Sequence, residues 1–452
     1  MLLLIKEKTK IDFYLILTLF FPVFAEQLAS ILLSVFSTAV SSNIDTVYLN
    51  ATTLVTNIVS PIATLDGSIA LGSSILISQY MGARDTVKSR KLFATSNLLG
   101  LFISITISFV FICFSKQIIT FFYPNMSESF FYNASIYSIF YSLCLPFIFL
   151  RTNIIGVLRG SLNTKAALYI SLSLGALSLA LRFFLMIVFE MGIYGLGIST
   201  LLSNVIVTLI SVLLLKKIDT FKGTFINVFK LFDKAVAIDT VKIGAVMCIQ
   251  SFAVSTASLI VTQILARMGD LQISAYSITT SVQSLLVAAS NSLAYVAQIL
   301  SGKYTGANEK SHEYEISIYI TLAGTALSVL VAVISIPLSK FLVGMYTSDS
   351  TIIPVSASAL SAYMISSCLF FASANILSAG IRGAGNVKFP AMVLILSAWI
   401  YKIPATWFVC IYLNKGALGC SLVNGIEQII FGSFFIVFML INYKKTKALE
   451  NE

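Results

Sequence analysis

Apolar runs of twenty or more residues recur from one end of this chain to the other, and most of its charge lies in the short gaps between them. A run of that length spans the roughly 30 Å hydrocarbon core of a bilayer at about 1.5 Å of helix per residue. No water is available there to satisfy exposed peptide groups, so a spanning segment must be a helix or a strand of a closed barrel. Barrel strands alternate polar and apolar positions over about ten residues, and the sequence shows no such alternation. The pattern predicts an all-α membrane protein of twelve helices. They fall near residues 13–38, 48–80, 92–115, 131–156, 166–188, 192–215, 241–268, 272–301, 315–340, 352–380, 389–412 and 417–442.

Composition agrees, with 58% hydrophobic and 11% charged residues against about 25% charged in soluble domains. The net charge of +10 does not point to nucleic acid, because the basic residues sit in loops where they set membrane topology. Of the 29 Lys and Arg, all but Lys116, Arg182, Arg267, Lys340, Lys402 and Lys415 fall on one side if both termini are cytoplasmic. The charges before the first apolar run, without a small-residue cleavage site, read as an uncleaved first helix. The six cysteines lie mostly in apolar segments without metal spacing, and the single histidine, His312, sits in a charged loop. No nucleotide-binding loop or hydrolase motif occurs, so the chain is not expected to be an enzyme or to bind a cofactor.

The halves repeat. Arg159-Gly160 in LRGSLNTKAA precedes Arg382-Gly383 in IRGAGNVKFP by 223 positions, and Gly82 in SQYMGARD precedes Gly306 in GKYTGANE by 224. At that offset Glu26 falls on Gln250. Between the halves, Lys216–Lys242 carries six lysines and three aspartates without a membrane-grade run. The division expected is an N-lobe at 1–215, a cytoplasmic linker at 216–240, a C-lobe at 241–443 and a cytoplasmic tail at 444–452. Six helices per half give both halves the same orientation, as pseudo-symmetric lobes around a central cavity.

These residues carry a resemblance. The proline-acidic pattern of the first helix (Pro22, Glu26), GSSILISQYMGARD closing the second, the paired LRG and IRG turns and IPATWF in the eleventh are similar to those of the bacterial multidrug and toxic compound extrusion (MATE) family. The resemblance covers about Phe13 to Leu440. It implies two six-helix lobes, a cavity opening alternately to each side, and export of amphipathic or cationic compounds against sodium or proton entry. The pattern departs from the family where acids are expected: those places hold Ser37, Val254 and roughly Phe371 to Ala372.

Charges deep in spanning helices are costly unless paired or hydrated, which marks them for function. Glu26 and Asp66 are the candidate cation-coupling carboxylates, with a structural, hydrogen-bonded role as the alternative for each. Lys402 and Glu427 form a candidate ion pair in the C-lobe, either structural or a coupling acid under lysine control. Gln250, Tyr276, Gln283 and Asn291 are expected to line the substrate cavity, Tyr276 and Gln283 sharing one helix face, or else to join helices. Pro22 is the candidate hinge, with a static kink as the alternative.

The function expected is a cation-coupled, sodium or proton, antiporter exporting small organic molecules from the plasma membrane. It would work as a monomer among membrane lipids, without nucleic acid or metal. The alternatives are a lipid-linked oligosaccharide flippase, disfavoured because Arg182 and Lys402 are its few candidate cavity bases, and a non-transporting membrane sensor.

Overall fold

The computed structural model describes residues 13–42, 46–122, 128–225 and 227–450, with the side chains at 34–42, 46, 47, 49, 50, 57, 60–66, 122, 310, 449 and 450 outside that description. Among the described residues there is no strand, and twelve long helical rods follow one another, with a short helix Ser339–Gly344 between the ninth and the tenth. The first six are α1 (Phe13–Ser42), α2 (Thr46–Gly82), α3 (Thr86–Phe122), α4 (Glu128–Gly160), α5 (Thr164–Arg182, continued by a π turn Phe183–Val188) and α6 (Gly192–Lys216). Then come α7 (Lys234–Ala266), α8 (Asp270–Gly306) and α9 (Lys310–Ser335). The tenth rod, α10, runs as Ile352–Ser367, a π turn Ser373–Leu377 and Ser378–Gly383. The eleventh, α11, runs as Lys388–Leu396, a π turn Ser397–Lys402, Ile403–Trp407 and a π turn Phe408–Tyr412; α12 is Gly416–Glu450. Among the described residues ten helices are long and apolar enough to cross a membrane, and Ile352–Ser367 is apolar but shorter.

The chain forms two compact units, Phe21–Cys248 and Ile249 onward with the first residues through Phe20. In the N-terminal unit α4 is central, packed against α2, α3 and α6. In the C-terminal unit α10 holds the same place against α8, α9 and α12. Both centres rest on close backbone approach. A Cβ on Gly160 would stand 2.6 Å from the Ser74 carbonyl oxygen, and one on Gly383 would collide with the carbonyl oxygen of Gln298. Small residues let membrane helices approach this closely.

The turns repeat as well. Left-handed backbone recurs at Arg84 (φ 56°) and Asn308 (φ 62°), at Leu162 (φ 67°) and Gly385 (φ 95°), and at Glu190 (φ 50°) and Asn414 (φ 52°). Such conformations are uncommon outside glycine, so their matched spacing marks the same helix ends in both halves.

The stretch after α6 packs on the N-terminal unit. Arg90 Nε donates to the Thr220 carbonyl at 2.6 Å and Nη2 to that of Asp219 at 3.0 Å, while Lys91 Nζ meets Asp233 Oδ2 at 2.9 Å. Buried Phe93 stacks edgewise on Phe225 and packs against Phe221, at centroid distances of 5.1 and 5.6 Å. The Lys91 ammonium bound to the Asp233 carboxylate holds it below its ordinary titration range. α7 begins at Lys234, and its first residues through Cys248 belong to this same unit.

Candidate functional site

Among the described residues each unit buries one ion pair between its helices. In the N-terminal unit the Glu26 side chain on α1 is 5% exposed, and its Oε2 lies 2.8 Å from Arg159 Nη2 on α4. The Ser171 hydroxyl on α5 donates to Glu26 Oε1. Arg151, two turns before Arg159 on α4, is close enough for the Glu26 charge to act on it. One carboxylate thus stands between a guanidinium group and a hydroxyl. A guanidinium stays charged in proteins and forms a rigid fork, so this arrangement suits a fixed strut joining α1, α4 and α5.

In the C-terminal unit Lys402 Nζ lies 3.3 Å from Glu427 Oε2, with the side chains 16% and 7% exposed. Ser397 Oγ faces Glu427 Oε1 at 3.4 Å. Ser397 and Lys402 are the two ends of one π turn. In a regular α-helix a five-residue spacing turns side chains well apart, whereas the wider π turn brings them to one face. A second π turn carries Asn375, whose amide donates to Gln428 Oε1 at 3.3 Å. Both turns thus present polar groups to adjacent residues of α12.

Tyrosines lie in the neighbourhood of this pair. Tyr276 on α8 accepts a hydrogen bond from Asn424 Nδ2 at 3.1 Å. Tyr363 is 2% exposed. The Glu427 charge acts on Tyr276, Tyr363 and Tyr401. Beside it an apolar cavity of about 280 Å³ is lined by Leu396, Ser397, Ile400, Tyr401, Phe431 and Phe434, among others.

Of the residues singled out in the sequence, Lys402 and Glu427 thus pair, and Tyr276 bonds to Asn424 one turn away on α12, while Gln283 is half-buried on α8. Asn291 is half-buried on α8 and makes no hydrogen bond to that cluster, and Gln250 on α7 has a sealed Oε1 without a donor. Pro22 is buried inside α1, one turn before Glu26. The side chains of Ser37 and Asp66 lie outside the described residues. Among the described residues no group of three His, Cys, Asp or Glu is placed to hold a metal ion. Sequence reasoning missed Arg159 and Ser171 as partners of Glu26, and Ser397 and Asn424 around Glu427. Arg159 was visible as a repeated landmark, which was itself a signal that the position does more than close a turn.

The MatE family model matches twice, over residues 22–183 and 247–408. The chain belongs to the MatE family. It is 24% identical over 363 residues to the probable multidrug resistance protein YoeA of Bacillus subtilis, covering 78% of this chain and 76% of that protein. It is 22% identical over 456 residues to the probable multidrug resistance protein NorM of Listeria monocytogenes, covering 95% and 94%. Its fold matches that of a MATE protein crystallised in complex with MaL6, with a TM-score of 0.87 at 16% identity over 95% of this chain and 97% of that one. This MatE protein is therefore a multi-pass membrane transporter of a multidrug efflux family and not an enzyme.

Proposed function

We propose that the protein is a cation-coupled antiporter that exports small amphipathic or cationic organic compounds by alternating access, and that Glu427 is where the coupling cation binds. The observation that carries this reading is the Lys402–Glu427 pair, enclosed among the helices and held on a π turn. A lysine ammonium on a flexible stem is an exchangeable partner, unlike the fork of an arginine. Arrival of a sodium ion or a proton at Glu427 would release Lys402, and departure of the cation would draw the ammonium back. The apolar cavity beside the pair, lined by Tyr401, Phe431 and Phe434 among others, offers aromatic and aliphatic surface suited to organic cations.

Glu26 fits the coupling role less well, because the Arg159 guanidinium already pairs with it. Asp66 stands as the second N-terminal candidate on its sequence position. Ethidium efflux from inverted vesicles under imposed sodium or proton gradients tests the assignment, with Glu427→Gln, Glu26→Gln and Asp66→Asn compared with the wild type. Loss of gradient-driven efflux in Glu427→Gln alone is the expected result, and the driving gradient identifies the ion. Full coupled efflux by Glu427→Gln would overturn the coupling site, and failure of the wild type under both gradients would overturn the exporter reading.

A further inference from the structure

We infer that the segment between α6 and α7 is an interfacial anchor for acidic phospholipids, its lysines meeting headgroup phosphates of the adjacent leaflet while Phe229 and Phe232 enter the acyl boundary. α6 ends at Lys216 and α7 begins at Lys234, and both helices are long and apolar enough to cross a membrane. Residues 217–233 are therefore held at the bilayer surface by both of their ends. One side of this segment packs on its own unit. Phe221 and Phe225 meet the Phe93 ring, the Asp233 amide donates to the Thr95 hydroxyl at 3.1 Å, and the Asp233 carboxylate accepts from Lys91.

The other side stands open. Phe229 is 85% exposed, more than any other large apolar side chain among the described residues, and Phe232 is 47% exposed. They lie three positions apart beside a helical turn that the Leu231 amide closes on the Asn227 carbonyl at 3.0 Å, a spacing that places side chains together. Exposed rings on a spanning helix have lipid tails to face, whereas these two lie beyond the apolar spans, where the alternative to the bilayer boundary is water. The charge of the same stretch points the same way. Lys216, Lys217, Lys222, Lys230, Lys234 and Lys242 are all exposed, against the exposed carboxylates of Asp219 and Asp239, since Asp233 is taken by Lys91. Lysine carries a hydrated point charge on a long flexible stem, which reaches headgroups while the stem lies along apolar surface. The lysines are spread along the stretch, which suits a layer of phosphates better than one free anion. A lipid surface answers both features at once, with phosphates for the ammonium groups and an acyl boundary for the rings. The inference goes beyond the transport reading and does not depend on it.

The test places the full-length protein in nanodiscs of phosphatidylcholine, alone or mixed with phosphatidylglycerol, at neutral pH, and reads amide hydrogen exchange over residues 217–233. The acidic lipid is expected to slow exchange about tenfold at low salt, and concentrated potassium chloride to remove the difference. The triple variant Lys222→Gln, Lys230→Gln, Lys234→Gln changes exposed positions only, so it should fold normally and lose the discrimination between the two bilayers. Phe229→Ser with Phe232→Ser should exchange faster than the wild type in both. Equal exchange of the wild type in the two bilayers would overturn the anchor, as would a triple variant that still distinguishes them, because other basic loops would then carry the effect. Serine variants that exchange like the wild type would overturn the insertion of the rings. Inorganic phosphate added to the phosphatidylcholine discs should leave exchange unchanged; protection equal to that by phosphatidylglycerol would assign the lysines to a free anion and overturn the lipid assignment.

Discussion

Breaking the C-terminal ion pair separates its structural worth from its use in transport. At 3.3 Å the attraction between Lys402 and Glu427 is about 5 kcal/mol for an effective dielectric of about 20. Part of that offsets the desolvation of two groups that are 16% and 7% exposed. Ser397 at 3.4 Å is too distant to hold a lone carboxylate by itself. Removing one partner leaves the other buried and uncompensated, which costs about 3–5 kcal/mol in comparable pairs. Lys402→Met and Glu427→Gln should therefore each lower Tm by roughly 6 °C or more, taking about 2 °C per kcal/mol for a domain of this size class. The double variant buries no net charge and should recover most of the loss, a coupling of about 3 kcal/mol in the cycle. Thermal melts of the four purified proteins give the cycle, and vesicle efflux is measured on the same preparations. Additive losses in the double variant would refute the ion-pair energetics. A stable double variant that still exports against a gradient at the wild-type rate would refute Glu427 as the coupling group.

The N-terminal pair should behave as a strut: Arg159→Ala leaves Glu26 with Arg151 at longer range and should cost about 3 kcal/mol, read as a lower Tm and lower membrane yield. Gly383→Ala drives a methyl group into the Gln298 carbonyl oxygen, a backbone atom that cannot turn away, and should abolish accumulation of folded protein. Gly67→Ala, with nothing within 4 Å, should be neutral or add about 0.5–1 kcal/mol, the two being compared by Tm. Asp233 has a lowered folded-state value, so its link to Lys91 contributes above the ordinary value of 3.8 and is lost as pH falls through the lowered one; amide exchange over residues 217–233 should accelerate there, and Lys91→Ala should remove that pH dependence.

The helices were legible because hydrophobic length is read one segment at a time, and the repeat because loop residues such as Gly82 and Arg159 return at a fixed spacing. The rods exceed the expected spans at their ends, as α2 and α8 do by several residues, because helix continues past the apolar run into polar turns. Lys402 and Glu427 were visible as a pair because so few charges lie at that depth. Their surroundings were not. The π turn that brings Ser397 beside Lys402 has no composition signal, and Ser171 and Asn424 are ordinary polar residues until a partner faces them. Glu26 was legible as a buried carboxylate, yet its partners lie on helices more than a hundred positions along the chain.

The left-handed turns also act as rulers. From Leu162 to Glu190 the N-terminal half advances 28 positions, and from Gly385 to Asn414 the C-terminal half advances 29. The surplus residue falls in the segment that contains the π turn Ser397–Lys402, where the first half continues as regular helix through Arg182. A widened turn accommodates one more residue within a helix, leaving both flanking loops as they were. Symmetry between the copies is then broken inside the bilayer, where one added residue is enough to aim a lysine at a glutamate.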